Sequence, residues 1–175
     1  MQFYNFSKID DENEITKLVK FTDKSKSIDL IKQIKEKVNL FLESDIGKRM
    51  QKAYESGKLY REYKFMKLFT HNQVKEMLEK FGVKGIESIE GIAKDEKNIV
   101  IQGIVDAFFI ENDKIIVVDY KTDGLKNNYV NEKELVSNYK VQLDLYAEVL
   151  HELSGYDVSD KYLYSFTNNE KIVID

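Results

Sequence analysis

Apolar positions along the chain fall into helical spacing, alternating runs and short continuous runs, and each kind predicts a different element. Ser27 to Glu43 (SIDLIKQIKEKVNLFLE) carries Ile28, Ile31, Ile34, Val38, Phe41 and Leu42 at helical spacing, with Ser27 as N-cap. A second helix is expected from about Asp45 to Ser56, stopping at Gly57. Leu59 to Thr70 (LYREYKFMKLFT) interleaves aromatic residues with charges and predicts a strand. Asn72 to Phe81 predicts a short helix closed by Gly82. Ile99–Ile110 and Lys114–Tyr120 are β-prone runs joined by Glu-Asn-Asp-Lys, a hairpin signal. Asn131 to Ser154 predicts a long amphipathic helix ending at Gly155, with Leu135, Tyr139, Leu143, Tyr146, Val149 and Leu150 on its apolar face. Tyr162–Phe166 and Ile172–Ile174 then form strands around an Asn-Asn turn. Without internal repeats or low-complexity linkers, the pattern describes one α/β domain over residues 1–175.

Composition narrows the chemistry. The 175 residues are 42% hydrophobic and 33% charged, enough to build a core. There is no Cys, which removes a disulfide framework, a thiol nucleophile and a thiolate-bound zinc. Only His71 and His151 could supply imidazole, too few for a His-built metal site. No apolar run is long enough to cross a bilayer, and the first residues lack a signal peptide's pattern, so the expectation is a cytoplasmic chain with no membrane partner. The net charge of −4 argues against a generally basic nucleic-acid binder. Yet residues 44–84 hold ten basic and five acidic side chains, net +5, leaving −9 elsewhere. Such a local positive face suits a phosphate backbone, although a solvated Lys-rich surface has the same composition.

The stretch QGIVDAFFIENDKIIVVDYKTD, residues 102–123, carries the most chemistry. With Asn112-Asp113 as a two-residue turn, Asp106 falls opposite Asp119, and Lys121 shares the face of Asp119. Two carboxylates facing each other within Val, Ile and Phe strands repel and lose hydration. A hard divalent cation held by both oxygens offsets that cost. An Asp–Lys pair at a strand end offsets it too, and a one-residue register slip would place the two acids on opposite faces. Spacing alone leaves both readings open. Glu62 is a third acid inside an aromatic run, where solvent-facing strand residues are common. Gln142 and Tyr146, at i and i+4, project from one helix face and by themselves describe core-edge packing.

Gln102-Gly103-Ile104-Val105-Asp106, then Asp119-Tyr120-Lys121-Thr122-Asp123, then Gln142-x-x-x-Tyr146, resemble the motifs of RecB-like nucleases of the PD-(D/E)XK superfamily. The resemblance is greatest to the C-terminal nuclease domains of AddA subunits of bacterial AddAB helicase-nucleases. It extends to the Gly47-Lys48-Arg49 helix and the Tyr60-Arg61-Glu62 strand. It implies a restriction-endonuclease-like fold, a mixed central sheet flanked by helices. It further implies Asp106 and Asp119 as metal-binding carboxylates, with the Tyr120 carbonyl as a further ligand. Lys121 would polarise the scissile phosphate or orient water, and Glu62 would act as a helper acid. Gln102, Gln142 and Tyr146 would support the site and contact DNA. The implied cofactor is Mg²⁺, with Mn²⁺ as the substitute. The implied activity is that of a deoxyribonuclease (exonuclease) domain acting in double-strand-break repair and recombination. Its implied partners are a single-stranded DNA end fed by helicase domains and an AddB-like subunit.

One departure stands out. The family carries a metal-binding His in Gly-Thr-x-x-His, which this sequence lacks, and Met1-Gln2 resembles the residues directly after that motif. The resemblance therefore implies a fragment, with the His and the helicase domains upstream and metal affinity weakened. The sequence also lacks a G-x-x-x-x-G-K-[ST] phosphate loop. A non-catalytic DNA-binding or subunit-docking module on the same fold is the competing reading.

Overall fold

The computed structural model describes residues 27–82, 98–122 and 131–175, with side chains from Lys32 onward. In chain order the elements are α1 (Ser27–Glu43), α2 (Asp45–Glu55), β1 (Leu59–Phe69) and α3 (His71–Lys80). There follow β2 (Ile99–Glu111), β3 (Lys114–Lys121), α4 (Glu132–Ser154), β4 (Asp157–Ser165) and β5 (Glu170–Val173). The five strands form one sheet in sequence order. Neighbouring strands are antiparallel except β3 and β4, which run parallel because α4 carries the chain back between them. The result is the mixed, helix-flanked sheet that the sequence resemblance implies.

Each face of the sheet has its own core. Ala107, Phe109, Ile116, Val118, Tyr162 and Tyr164 pack with Phe41, Ile46 and Met50 of α1 and α2. Val105, Phe108, Ile115 and Val117 pack on the opposite face with Tyr146, Val149 and Leu150 of α4. A third cluster joins Leu135 and Leu143 of α4 to Leu163, Ile172 and Ile174.

Local chemistry explains the boundaries. Ser44 caps α2, its hydroxyl accepting from Gly47 N at 3.1 Å. A Cβ on Gly47 would lie 2.0 Å from the Phe41 carbonyl oxygen, so only glycine permits the sharp α1–α2 corner. The α3 helix starts at His71 rather than Asn72, because Thr70 and Gln73 close a reciprocal capping box. The β2–β3 turn has φ of 51° at Asn112 and 56° at Asp113, the double left-handed geometry that matches strand twist. Gly155 ends α4 with φ of 74°.

The largest departure from expectation is β4, which begins at Asp157 rather than Tyr162. Its polar first half, DVSDK, has no strand-like pattern of its own. It is recruited by pairing with β3, from Lys114↔Asp157 onward, with a register shift between Ile115 and Ile116.

Candidate active site

The hairpin register is the one that counting from the turn predicts. Pairs between β2 and β3 run from Glu111↔Lys114 to Ala107↔Val118. The next step would set Asp106 against Asp119. There the strands part: β2 continues only with β1, to Ile99↔Phe69, and β3 continues only with β4, to Lys121↔Ser165. Asp106 fills the gap, its Oδ2 accepting from the Tyr120 backbone N–H at 3.0 Å. A side chain thus replaces a ladder acceptor where the sheet opens.

Asp106 also marks a reversal in facing. Val105 and Phe108 belong to the α4-side core although three residues apart, whereas Ala107 and Phe109 face α1 and α2. Strict alternation cannot produce that, so the strand skips one position at Asp106. The matching irregularity in β1 is Glu62. It lies between the pairs Arg61↔Ala107 and Tyr63↔Val105, half-buried, with φ of 51°. A non-glycine residue in that region is strained and is held there by its surroundings.

Asp119 is the most buried charged residue described, 1% exposed. Lys121 Nζ lies 2.7 Å from its Oδ2. Gln142 on α4 reaches its Oδ1 at 3.4 Å and also donates to the Tyr146 hydroxyl at 2.7 Å. One amide therefore links the helix pair to the carboxylate. Burial raises the Tyr146 pKa above its ordinary value, and the charges of Asp119 and Asp106 push it the same way against the Gln142 hydrogen bond. Tyr120 turns its ring to the other face, against Phe41 and Phe166, leaving its backbone at the site. Burial and the Asp106 charge raise its pKa strongly.

The geometry gathers Asp106, Asp119, Tyr120, Lys121, Gln142 and Tyr146. Glu62 faces Asp106 by backbone register. Gln102 stands apart: it is exposed, paired with Met66, and four residues along β2 from Asp106. His71 lies just beyond the far end of the β1–β2 ribbon, whose stretch from Asp106 to Ile99 spans roughly 23 Å at strand rise. His151 Nδ1 sits 3.0 Å from the Tyr156 carbonyl oxygen. Tyr139 reads from sequence only as a core residue, yet its ring lies 3.8 Å from Lys121 Nζ. Its position three residues before Gln142 and seven before Tyr146 is the signal that places it on the site-facing stripe.

Among the described residues no cluster of three or more His, Cys, Asp or Glu side chains could hold a metal. The two aspartates nevertheless suit a hard cation, which is commonly held by one or two carboxylates with water and phosphate oxygens completing its shell.

Residues 15–173 match the PD-(D/E)XK nuclease superfamily. The chain belongs to that superfamily. Among relatives of this nuclease chain, the A subunit of the ATP-dependent helicase/nuclease of Clostridium perfringens is 35% identical over 139 residues, covering 79% of this chain and 10% of that protein. Its counterpart of the same name in Clostridium novyi is 37% identical over 139 residues, with the same shares. That of Clostridium botulinum is 35% identical over 157 residues, covering 81% of this chain and 11% of that protein. The PD-(D/E)XK chain thus spans about a tenth of the length of these relatives. No helix among its described residues is long and apolar enough to cross a membrane.

Proposed function

We propose that this chain hydrolyses DNA phosphodiester bonds with Mg²⁺, or Mn²⁺ in its place, as a cytoplasmic exonuclease domain. The observation that carries the reading is the convergence of Asp106, Asp119 and Lys121 at the opening between β2 and β3, backed by Gln142 and Tyr146.

Asp106 and Asp119 would hold the cation, with the Tyr120 carbonyl beside them. When bound, the cation supplies Lewis acidity toward a phosphate oxygen and a more acidic water. Lys121 presents fixed positive charge where negative charge develops on the phosphate. Gln142 fixes the rotamer of Asp119, and the Tyr146 hydroxyl fixes Gln142 in turn. Glu62, facing Asp106, would act as a helper acid, and Gln102, exposed four residues along β2, would meet DNA outside the metal site itself.

In its biological setting the domain would belong to a longer helicase-nuclease in double-strand-break repair. Helicase domains and a metal-binding His would lie upstream, and a second, AddB-like subunit would complete the assembly. Cleavage of labelled single-stranded DNA in Mg²⁺ or Mn²⁺ tests the reading, comparing wild type, Asp119→Ala and the chain extended upstream. Cleavage that requires metal and Asp119 supports it. DNA binding without turnover, even in the extended chain, would replace it with the docking-module reading.

A further inference from the structure

The Lys121 ammonium has two neighbours of different kinds. One is Asp119, whose Oδ2 is 2.7 Å away. The other is the face of the Tyr139 ring, 3.8 Å from Nζ to the ring centroid. The Lys121 side chain is 15% exposed, so both contacts form largely out of water, where an ammonium over an aromatic face is best stabilised.

We propose that Tyr139 is a positioning residue for Lys121, its ring holding the ammonium at the scissile phosphate independently of Asp119. This inference rests on the hydrolytic reading above. The physical need follows from the charges. Asp119 Oδ2 serves Lys121 in the structure, yet the same carboxylate is one of two that would bind the cation. A lysine held by that oxygen alone would lose its anchor whenever the carboxylate was engaged elsewhere. The ring of Tyr139 offers a contact that does not compete for it.

The platform is anchored in the core. Tyr139 packs against the Leu135, Leu143, Leu163, Ile172 and Ile174 cluster, which joins α4 to β4 and the chain's last residues. The same helix presents Gln142 to Asp119 one turn later. One stripe of α4 therefore contacts both residues of the Asp119–Lys121 pair.

The ring, rather than the hydroxyl, carries this role, so Tyr139→Phe and Tyr139→Leu separate it from packing. In proton NMR of the full chain, the Lys121 ε-methylene should be shifted upfield by the ring in wild type and Tyr139→Phe, and the shift lost in Tyr139→Leu. On single-stranded DNA with Mg²⁺, Tyr139→Leu should lower kcat roughly three- to thirtyfold with little change in KM, while Tyr139→Phe stays near wild type. The loss should vanish when Tyr139→Leu is added to Lys121→Met. No upfield shift in wild type, an unaffected Tyr139→Leu, or a loss that persists in the Lys121→Met background would each overturn the positioning role. A wild-type chain that shows the shift but cleaves no DNA, even when extended upstream, overturns the hydrolytic reading, and the role built on it goes too.

Discussion

Asp106 accepts a hydrogen bond from the Tyr120 main chain at 3.0 Å, so one carboxylate both terminates the β2–β3 ladder and faces the notch proposed for the cation. Its structural and chemical duties can be separated. Asp106→Asn keeps an amide oxygen able to accept from Tyr120 N–H but loses the negative charge. Cleavage should fall by roughly a hundredfold or more, while the melting temperature stays within a few degrees. A matched pair of nuclease assays and thermal melts reads both effects.

Glu62 sits at φ of 51° in the middle of a strand, directly across from Asp106. Glycine adopts that conformation without a Cβ penalty. Glu62→Gly should therefore raise stability by about 1 kcal/mol, measured by urea unfolding, while lowering cleavage. A stabilised and fully active variant would remove Glu62 from the chemistry.

Gly47 has no room for a side chain, since an added Cβ would meet the Phe41 carbonyl oxygen at 2.0 Å. The obstacle is backbone and cannot rotate away. Gly47→Ala should cost about 3 kcal/mol or more in denaturant unfolding. The effect enters through the α1–α2 corner, on the sheet face opposite Gln142 and Tyr146, so folded material should retain its cleavage rate per molecule.

Tyr164 is 1% exposed, and its hydroxyl meets no hydrogen-bond partner among the described residues. Burial pushes its pKa up to about 12. The unfolded phenol releases its proton near pH 10 while the folded one retains it, so stability declines as pH rises from about 10 toward 12. Tyr164→Phe should be neutral or stabilising by up to about 1 kcal/mol at pH 7. Its alkaline decline, followed by unfolding at stepped pH, should be shallower than wild type; Tyr120 and Tyr146 keep it from vanishing.

The hairpin and its acid pair were legible because a two-residue turn makes register a matter of counting, and Asn112-Asp113 tolerates the left-handed geometry. The long helix was legible from its apolar spacing, and Gly155 marked its end. The first half of β4 was not, because Asp157 to Lys161 owes its strand conformation to β3 rather than to its own residues. The skip at Asp106 and the strain at Glu62 were equally hidden, being products of where β2 leaves β3. Tyr139 reads as core because an aromatic on an apolar stripe usually is; only the position of Lys121 gives its ring a second task. The roles of Gln102 and Glu62 rest on the family resemblance, which spacing along the strands could not supply.

The two-residue turn also bears on how the chain is assembled. Asp106 and Asp119 lie within one local hairpin, which can close in about 1–10 μs, whereas the parallel β3–β4 pairing waits for the α4 crossover. Until α4 docks, the hairpin face formed by Val105, Phe108, Ile115 and Val117 lacks the cover that Tyr146, Val149 and Leu150 supply. The two aspartates interrupt it with like charges at the end where its pairing stops. Charge at the open end of an apolar hairpin disfavours edge-to-edge pairing with another chain, whatever else the carboxylates do.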